Sequence, residues 1–187
     1  MKNLLTKKNR FVVFTLLTFL FFACKQKAKE MIIGNDDNLS LARQDYKGTD
    51  LRLNGYFYNK VNKGIQQSYF FYNNGVVLCG GASGESNNAK AALEETFMSP
   101  TFNTDIKKTK SNWGLFKIKG GKIFIEHWYP SELPLKSAIK EGIIINDSLF
   151  KITSVQRSNG SEFKLVEEFY EFKPFNPKPD SNNVFVQ

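Results

Sequence analysis

Between Leu51 and Phe172 the apolar residues come in short runs, many alternating with polar ones, and each run stops at Gly, Asn, Pro or Ser. A period of two is the spacing at which a strand shows one face. Val, Ile, Phe and Tyr dominate the runs, as strands favour. Eight strands are predicted: Leu51–Val61, Gln67–Asn73, Val76–Cys79, Trp113–Lys119, Lys122–Trp128, Gly142–Ile145, Leu149–Val155 and Phe163–Phe172.

Three tight turns have a chemical basis. Asn74-Gly75 and Gly120-Gly121 suit two-residue type I′ turns, in which both central residues take positive φ, and Asn146-Asp147 is a weaker case. Pairing across Gly120-Gly121 sets Ile118 opposite Ile123, Phe116 opposite Ile125, and Gly114 opposite His127. These six share a face, which is therefore core. The reverse face carries Lys117, Lys119, Lys122 and Glu126, with Trp113 opposite Trp128 at its far end, and reads as largely solvent-facing.

One helix interrupts the strands. Ser86 or Asn87 can cap it, Ala89, Ala92, Leu93 and Phe97 form a narrow apolar stripe, and Ser99-Pro100 ends it. Such a stripe packs across a sheet, or over a barrel mouth as a lid. Thr101 to Asn112 is polar, holds Lys107, Lys108 and Lys110, and reads as a long solvated loop. Successive hairpins make a meander, and an eight-stranded meander that closes on itself removes its edges. The expected fold is mainly β, an antiparallel barrel or a strongly curved open sheet, with the helix between the third and fourth strands.

The first residues follow another pattern. Lys2, Lys7, Lys8 and Arg10 precede a run of 13 apolar residues and threonines, Phe11–Ala23, and Cys24 follows at once. A spanning helix needs about 20 residues, so the run suits the apolar core of an export signal. Phe21-Phe22-Ala23-Cys24 resembles the lipobox of bacterial lipoproteins; Ala23 and Cys24 match, while Phe21 and Phe22 depart from the usual types. The resemblance implies cleavage before Cys24, covalent diacylglycerol and acyl chains on that cysteine, and anchorage in a membrane. Lys25 stands where an aspartate would signal inner-membrane retention, so the outer membrane is the implied address. The organisation expected is a signal peptide (1–23), a lipidated cysteine and flexible tether (24–44), the β domain (45–173) and an irregular tail (174–187).

The formal charge of +8 shrinks once the leader is set aside. Four of the 26 basic residues and none of the 18 acidic ones lie there, which leaves 22 against 18, a net +4. A weakly basic envelope protein gives no reason to invoke nucleic acid. Gly55-Tyr56, Trp113-Gly114-Leu115-Phe116 and Gly120-Gly121-Lys122-Ile123 resemble the strand openings and turns of small lipocalin-like domains found in many bacterial lipoproteins. The likeness spans Leu51 to Phe172 and implies a barrel whose interior binds a small molecule.

Candidate chemistry is sparse. His127 is the only histidine, and Glu126 beside it points to the other face of the strand. Cys79 lies in an apolar run and reads as core. Cys79-Gly80-Gly81-Ala82-Ser83-Gly84-Glu85 lacks the last glycine of a nucleophile elbow and the Gly-Lys of a phosphate loop. One histidine and one free thiol do not suggest a transition-metal site. Glu94-Glu95 and Glu167-Glu168 are neighbours with no spacing that makes them converge. The expected function is non-catalytic binding or carriage of a small apolar or amphipathic ligand, with no cofactor beyond the lipid on Cys24, in a cavity lined by Phe116, Ile118, Ile123, Ile125 and His127. The alternative is an interaction module that docks on an envelope protein through an exposed Trp113 and Trp128, or through the Lys107–Lys110 segment.

Overall fold

The computed structural model describes residues 35–59, 64–84 and 89–186. The leader, Cys24, the chain up to residue 34 and the expected helix cap at Ser86 or Asn87 lie outside them. A compact unit begins at Asp37. Its eight strands are β1 (Gly55–Asn59), β2 (Gly64–Phe71), β3 (Val76–Gly84), β4 (Trp113–Lys119), β5 (Lys122–Tyr129), β6 (Lys136–Asn146), β7 (Leu149–Arg157) and β8 (Lys164–Pro174). Each pairs antiparallel with the next, and β8 returns to β1, from Gly55↔Pro174 to Asn59↔Tyr170, so the barrel is closed. None of the described helices is long and apolar enough to cross a membrane.

The turn chemistry explains most of the register. Gly120 (φ 59°) and Gly121 (φ 75°) both sit in the left-handed region, and the pairing they impose is Ile118↔Ile123, Phe116↔Ile125 and Gly114↔His127, as the sequence predicts. At Asn74-Gly75 only Gly75 has positive φ. Gly75 N–H bonds the Tyr72 carbonyl and Tyr72 N–H bonds the Val76 carbonyl, so the loop has three residues and is not type I′. Asn74 instead spends its side-chain oxygen on Val76 N–H. The last turn is shifted by one residue: Asn146 pairs with Leu149 and its side chain accepts from Ser148 N–H.

The helix lies where expected, α1 (Ala89–Met98), and packs against the outer wall of β2 and β3. Its Leu93 is fully buried, and Phe97 meets Tyr56 (4.9 Å) and Phe70 (5.0 Å). The expected loop at Thr101–Asn112 contains a second helix, α2 (Phe102–Lys107), and a 3-10 turn (Lys110–Asn112). One aromatic explains the difference: Phe102 is buried 5.2 Å from Phe97 and pins an otherwise polar segment.

Two apolar cores sit on opposite faces of the barrel wall. The inner core holds Phe57, Phe71, Phe116, Ile123, Ile125, Phe150 and Ile152. The outer core joins Tyr56, Phe70, Leu78, Trp113 and Trp128 to the helices and to residues on both flanks of the barrel, among them Leu39, Leu41, Phe175 and Val186. Trp113 and Trp128 are therefore not an exposed docking face: they are 0% and 3% accessible. They are covered because the chain from Asp37 to Gln44, expected as part of a free tether, straps across them, with Leu39 and Leu41 packed on the outer core. Trp128 Nε1 donates to the Asp37 carbonyl (2.6 Å). Glu126, expected on a wet face, is fully buried and accepts from Ser40 N–H (2.8 Å), Leu41 N–H (2.6 Å) and the hydroxyls of Ser40 and Ser158.

The C-terminal segment has no regular structure but is firmly seated. Tyr72 OH donates to the Pro179 carbonyl (2.8 Å), and Lys178 Nζ donates to the carbonyls of Leu53 (2.6 Å) and Phe71 (2.5 Å). With Tyr46 and Leu51 on the inner core, these contacts stop one end of the barrel. The other end, where β5 meets β6 and β7 meets β8, is open to a cavity.

Candidate functional site at the barrel mouth

The strands divide the interior into two halves. Near the stopped end Phe57, Phe71, Phe116 and Phe150 fill the space, with ring centroids 4.8–5.9 Å apart. The expected cavity residues Phe116, Ile123 and Ile125 do face inward, but they belong to this packed half. Phe116 and Ile118 border a separate space of about 190 Å³ beside Tyr46 at the stopped end. Of the five, His127 alone reaches the other half, and that half is polar.

Its centre is Lys140, carried inward on β6 by the alternation Ala138, Lys140, Gly142 against His127, Ile125 and Ile123 of β5. Only 4% of this lysine is accessible. Its Nζ donates to Gln67 Oε1 (2.8 Å) and Glu168 Oε2 (2.8 Å) and lies 3.4 Å from the Tyr170 hydroxyl. The Tyr170 hydroxyl in turn reaches Glu168 Oε2 (2.9 Å) and Gln67 Oε1 (3.1 Å). A buried ammonium is tolerated here because a carboxylate and an amide oxygen replace its water.

Burial sets the protonation of the surrounding groups. It pushes the Cys79 thiol up to about 12, although Lys140 opposes the rise, so the thiol stays protonated and unreactive at neutral pH. It raises Tyr69 and Tyr170 well above the usual phenol range, Glu168 adding to the effect on both. It lowers His127 to about 4, and the Lys140 charge pushes the same way. The imidazole is thus neutral. Its Nδ1 lies 3.0 Å from the Trp128 carbonyl, which can only accept, and this assigns the proton to Nδ1. Nε2 is left as a bare acceptor.

Buried polar atoms nearly always have partners, yet four in the described residues have none: His127 Nε2, Tyr69 OH, Arg157 Nη1 and Ser68 Oγ. Ser68 lies on the outer wall against Gly80 and Phe97. The other three belong to the polar half; the Tyr69 hydroxyl interacts with that of Tyr170, though short of full hydrogen-bond geometry. Beside Arg157 opens a cavity of about 250 Å³, whose wall also includes Tyr129, Ala138, Val155, Glu162 and Lys164 but neither His127 nor Tyr69. Tyr129 links the layers, its ring 5.4 Å from that of His127. Arg157 is held at the rim by Glu132 (2.6 Å) and Glu162 (3.1 Å), and those carboxylates raise its basicity further.

The cavity wall therefore offers a guanidinium N–H beside its two carboxylates, with the His127 acceptor buried one aromatic layer below, behind Tyr129. Among the described residues no three His, Cys, Asp or Glu side chains are grouped to hold a metal ion. Of the Lys107–Lys110 segment, Lys107 pairs with Asp180 (2.7 Å) and Lys110 lies over the Trp128 ring (4.5 Å). Glu94 accepts from Tyr56 OH and pairs with Lys173, away from the mouth. Sequence reasoning missed Lys140 because Lys136 to Glu141 looked like connection; the available signal was the inward alternation that continues past Gly142. No family model, curated protein or solved structure matches the chain.

Proposed function

We propose that this is a lipid-anchored envelope protein that binds, without covalent chemistry, the polar end of a small amphipathic ligand at the barrel mouth. The anchor rests on the lipobox-like Phe21-Phe22-Ala23-Cys24, and the outer-membrane address on Lys25. Ligand binding rests on one observation: an unpartnered Arg157 N–H in the wall of an open cavity, with the unpartnered His127 Nε2 buried one aromatic layer beneath it, behind Tyr129. At about 250 Å³ the cavity falls just below the range of drug-sized sites, roughly 300–1,000 Å³. It suits a headgroup or a small metabolite better than a whole acyl chain, which the aromatic packing of the lower half would exclude. A protonated thiol and a histidine whose other nitrogen faces only a carbonyl favour binding over catalysis.

The test is native mass spectrometry of the gently purified protein, for the wild type, His127→Phe and Arg157→Leu. The expected result is an extra mass on the wild type that both variants lose while remaining folded. An equal extra mass on all three would place the ligand elsewhere, and a wild type that stays bare after incubation with an envelope lipid extract would count against the reading.

A further inference from the structure

The open end of the barrel carries apolar side chains where a soluble rim has no need of them. Leu133, in the β5–β6 connection, is 79% accessible; Phe163 and Leu165, at the start of β8, are 58% and 80% accessible. Scattered exposed apolar residues are ordinary. These three, however, sit in or directly beside two connections that border one cavity and that Arg157 ties together through Glu132 and Glu162. The chain also leaves the folded unit at this rim. Asp37 N–H donates to the Leu135 carbonyl (2.9 Å), Asp37 Oδ2 accepts from Ser137 N–H (3.1 Å), and Lys136 pairs with its other oxygen (3.2 Å). Twelve residues, 25–36, separate Asp37 from Cys24. Fully extended they reach roughly 40 Å, and any less extended conformation brings the rim closer to whatever holds Cys24.

We infer that Leu133, Phe163 and Leu165 dip into a lipid bilayer, so that the mouth of the barrel opens onto the membrane surface and receives its ligand from there. The tether part of the argument rests on the lipid-anchor reading; the rim stands on its own exposed residues. Attachment at the rim, where Asp37 sits, favours this end over the stopped end, where Ile143 (44%), Ile145 (48%) and Val184 of the C-terminal segment (75%) are also exposed. The side chains act as shallow apolar anchors of the kind that hold proteins at the headgroup–acyl boundary.

The experiment uses the full chain expressed with its leader, purified from the membrane fraction and reconstituted in vesicles of phosphatidylethanolamine and phosphatidylglycerol. A photoreactive benzophenone side chain is placed at Leu133, Phe163, Leu165 or, as the control, Ile145. The expected result is lipid adducts from the three rim positions and none from Ile145. Equal adducts from Ile145, no lipid adducts at the rim, or rim adducts to a second copy of the chain would each overturn the proposal. Intact mass reads the state of Cys24 separately: an unmodified cysteine with rim–lipid adducts retained would remove the covalent anchor and leave the membrane-facing mouth in place.

Discussion

Replacing His127 with glutamine isolates the cost of keeping an uncharged imidazole inside the barrel. Burial holds that ring to about 4, against its ordinary 6.5, and the neighbouring Lys140 charge reinforces the effect. Above pH 6.5 the ring is neutral whether the chain is folded or not, so it adds nothing to the pH dependence. As pH falls below that value the unfolded chain takes up a proton that the folded chain refuses until about 4, and stability drains away across the window. The gap, at about 1.4 kcal/mol per pH unit, amounts to about 3 kcal/mol. Asp37, whose carboxyl is held below the ordinary range chiefly by the Ser137 N–H, also loses its contribution in acid. That loss is common to both proteins and cancels in their difference. Urea unfolding from neutral pH to about pH 4 should show the wild type losing about 3 kcal/mol more than His127→Gln. Parallel stability curves would refute the buried neutral imidazole, and with it the bare acceptor on which the site depends.

Gly114→Ala would place a Cβ 2.2 Å from the Glu126 carbonyl oxygen and 2.9 Å from His127 Cβ; we expect a loss of about 2 kcal/mol or more on thermal denaturation, and an unchanged melting temperature would contradict the close β4–β5 approach. Glu126→Gln presents an amide N–H₂ to donors on Ser40 and Leu41, so it should cost about 2 kcal/mol and speed amide exchange at those two residues; unaltered exchange there would show that the strap is held otherwise. Lys140→Met strands Glu168 and Gln67, and the added Glu168→Gln change should recover part of the stability lost, a coupling of about 1–3 kcal/mol. A double variant that costs the full sum of the single ones would dissolve the network.

Local chemistry made the β4–β5 hairpin readable: two adjacent glycines fix the turn, and alternation then fixes every pair. The eight strands and α1 came from the same short-range signals. What stayed hidden depends on contacts far apart in sequence. Glu126 reads as solvent-facing until Ser40 and Leu41, more than eighty residues away, cover it. Trp113 and Trp128 read as exposed for the same reason. Barrel closure itself left the open-sheet alternative standing, because pairing of β1 with β8 has no local signature. The site was legible only at His127. Lys140, Gln67 and Glu168 come from three strands, and a buried lysine in a polar stretch looks like any surface lysine until the barrel closes around it.

Closure also has a consequence for how the chain must assemble. Seven of the eight strand pairings join neighbours in sequence, and each hairpin can form as its second strand becomes available. The eighth joins Gly55–Asn59 to Lys164–Pro174, more than a hundred residues later. Ordering so long a loop precedes any reward from its contacts, so this seam is the expected slow step. Until it seals, Tyr56, Phe57 and Tyr58 stand on an open strand edge, the kind of surface that recruits other chains. A chain made from its N-terminus carries that aromatic edge unpaired for nearly its whole synthesis. Its most vulnerable moment falls just before the last strand arrives.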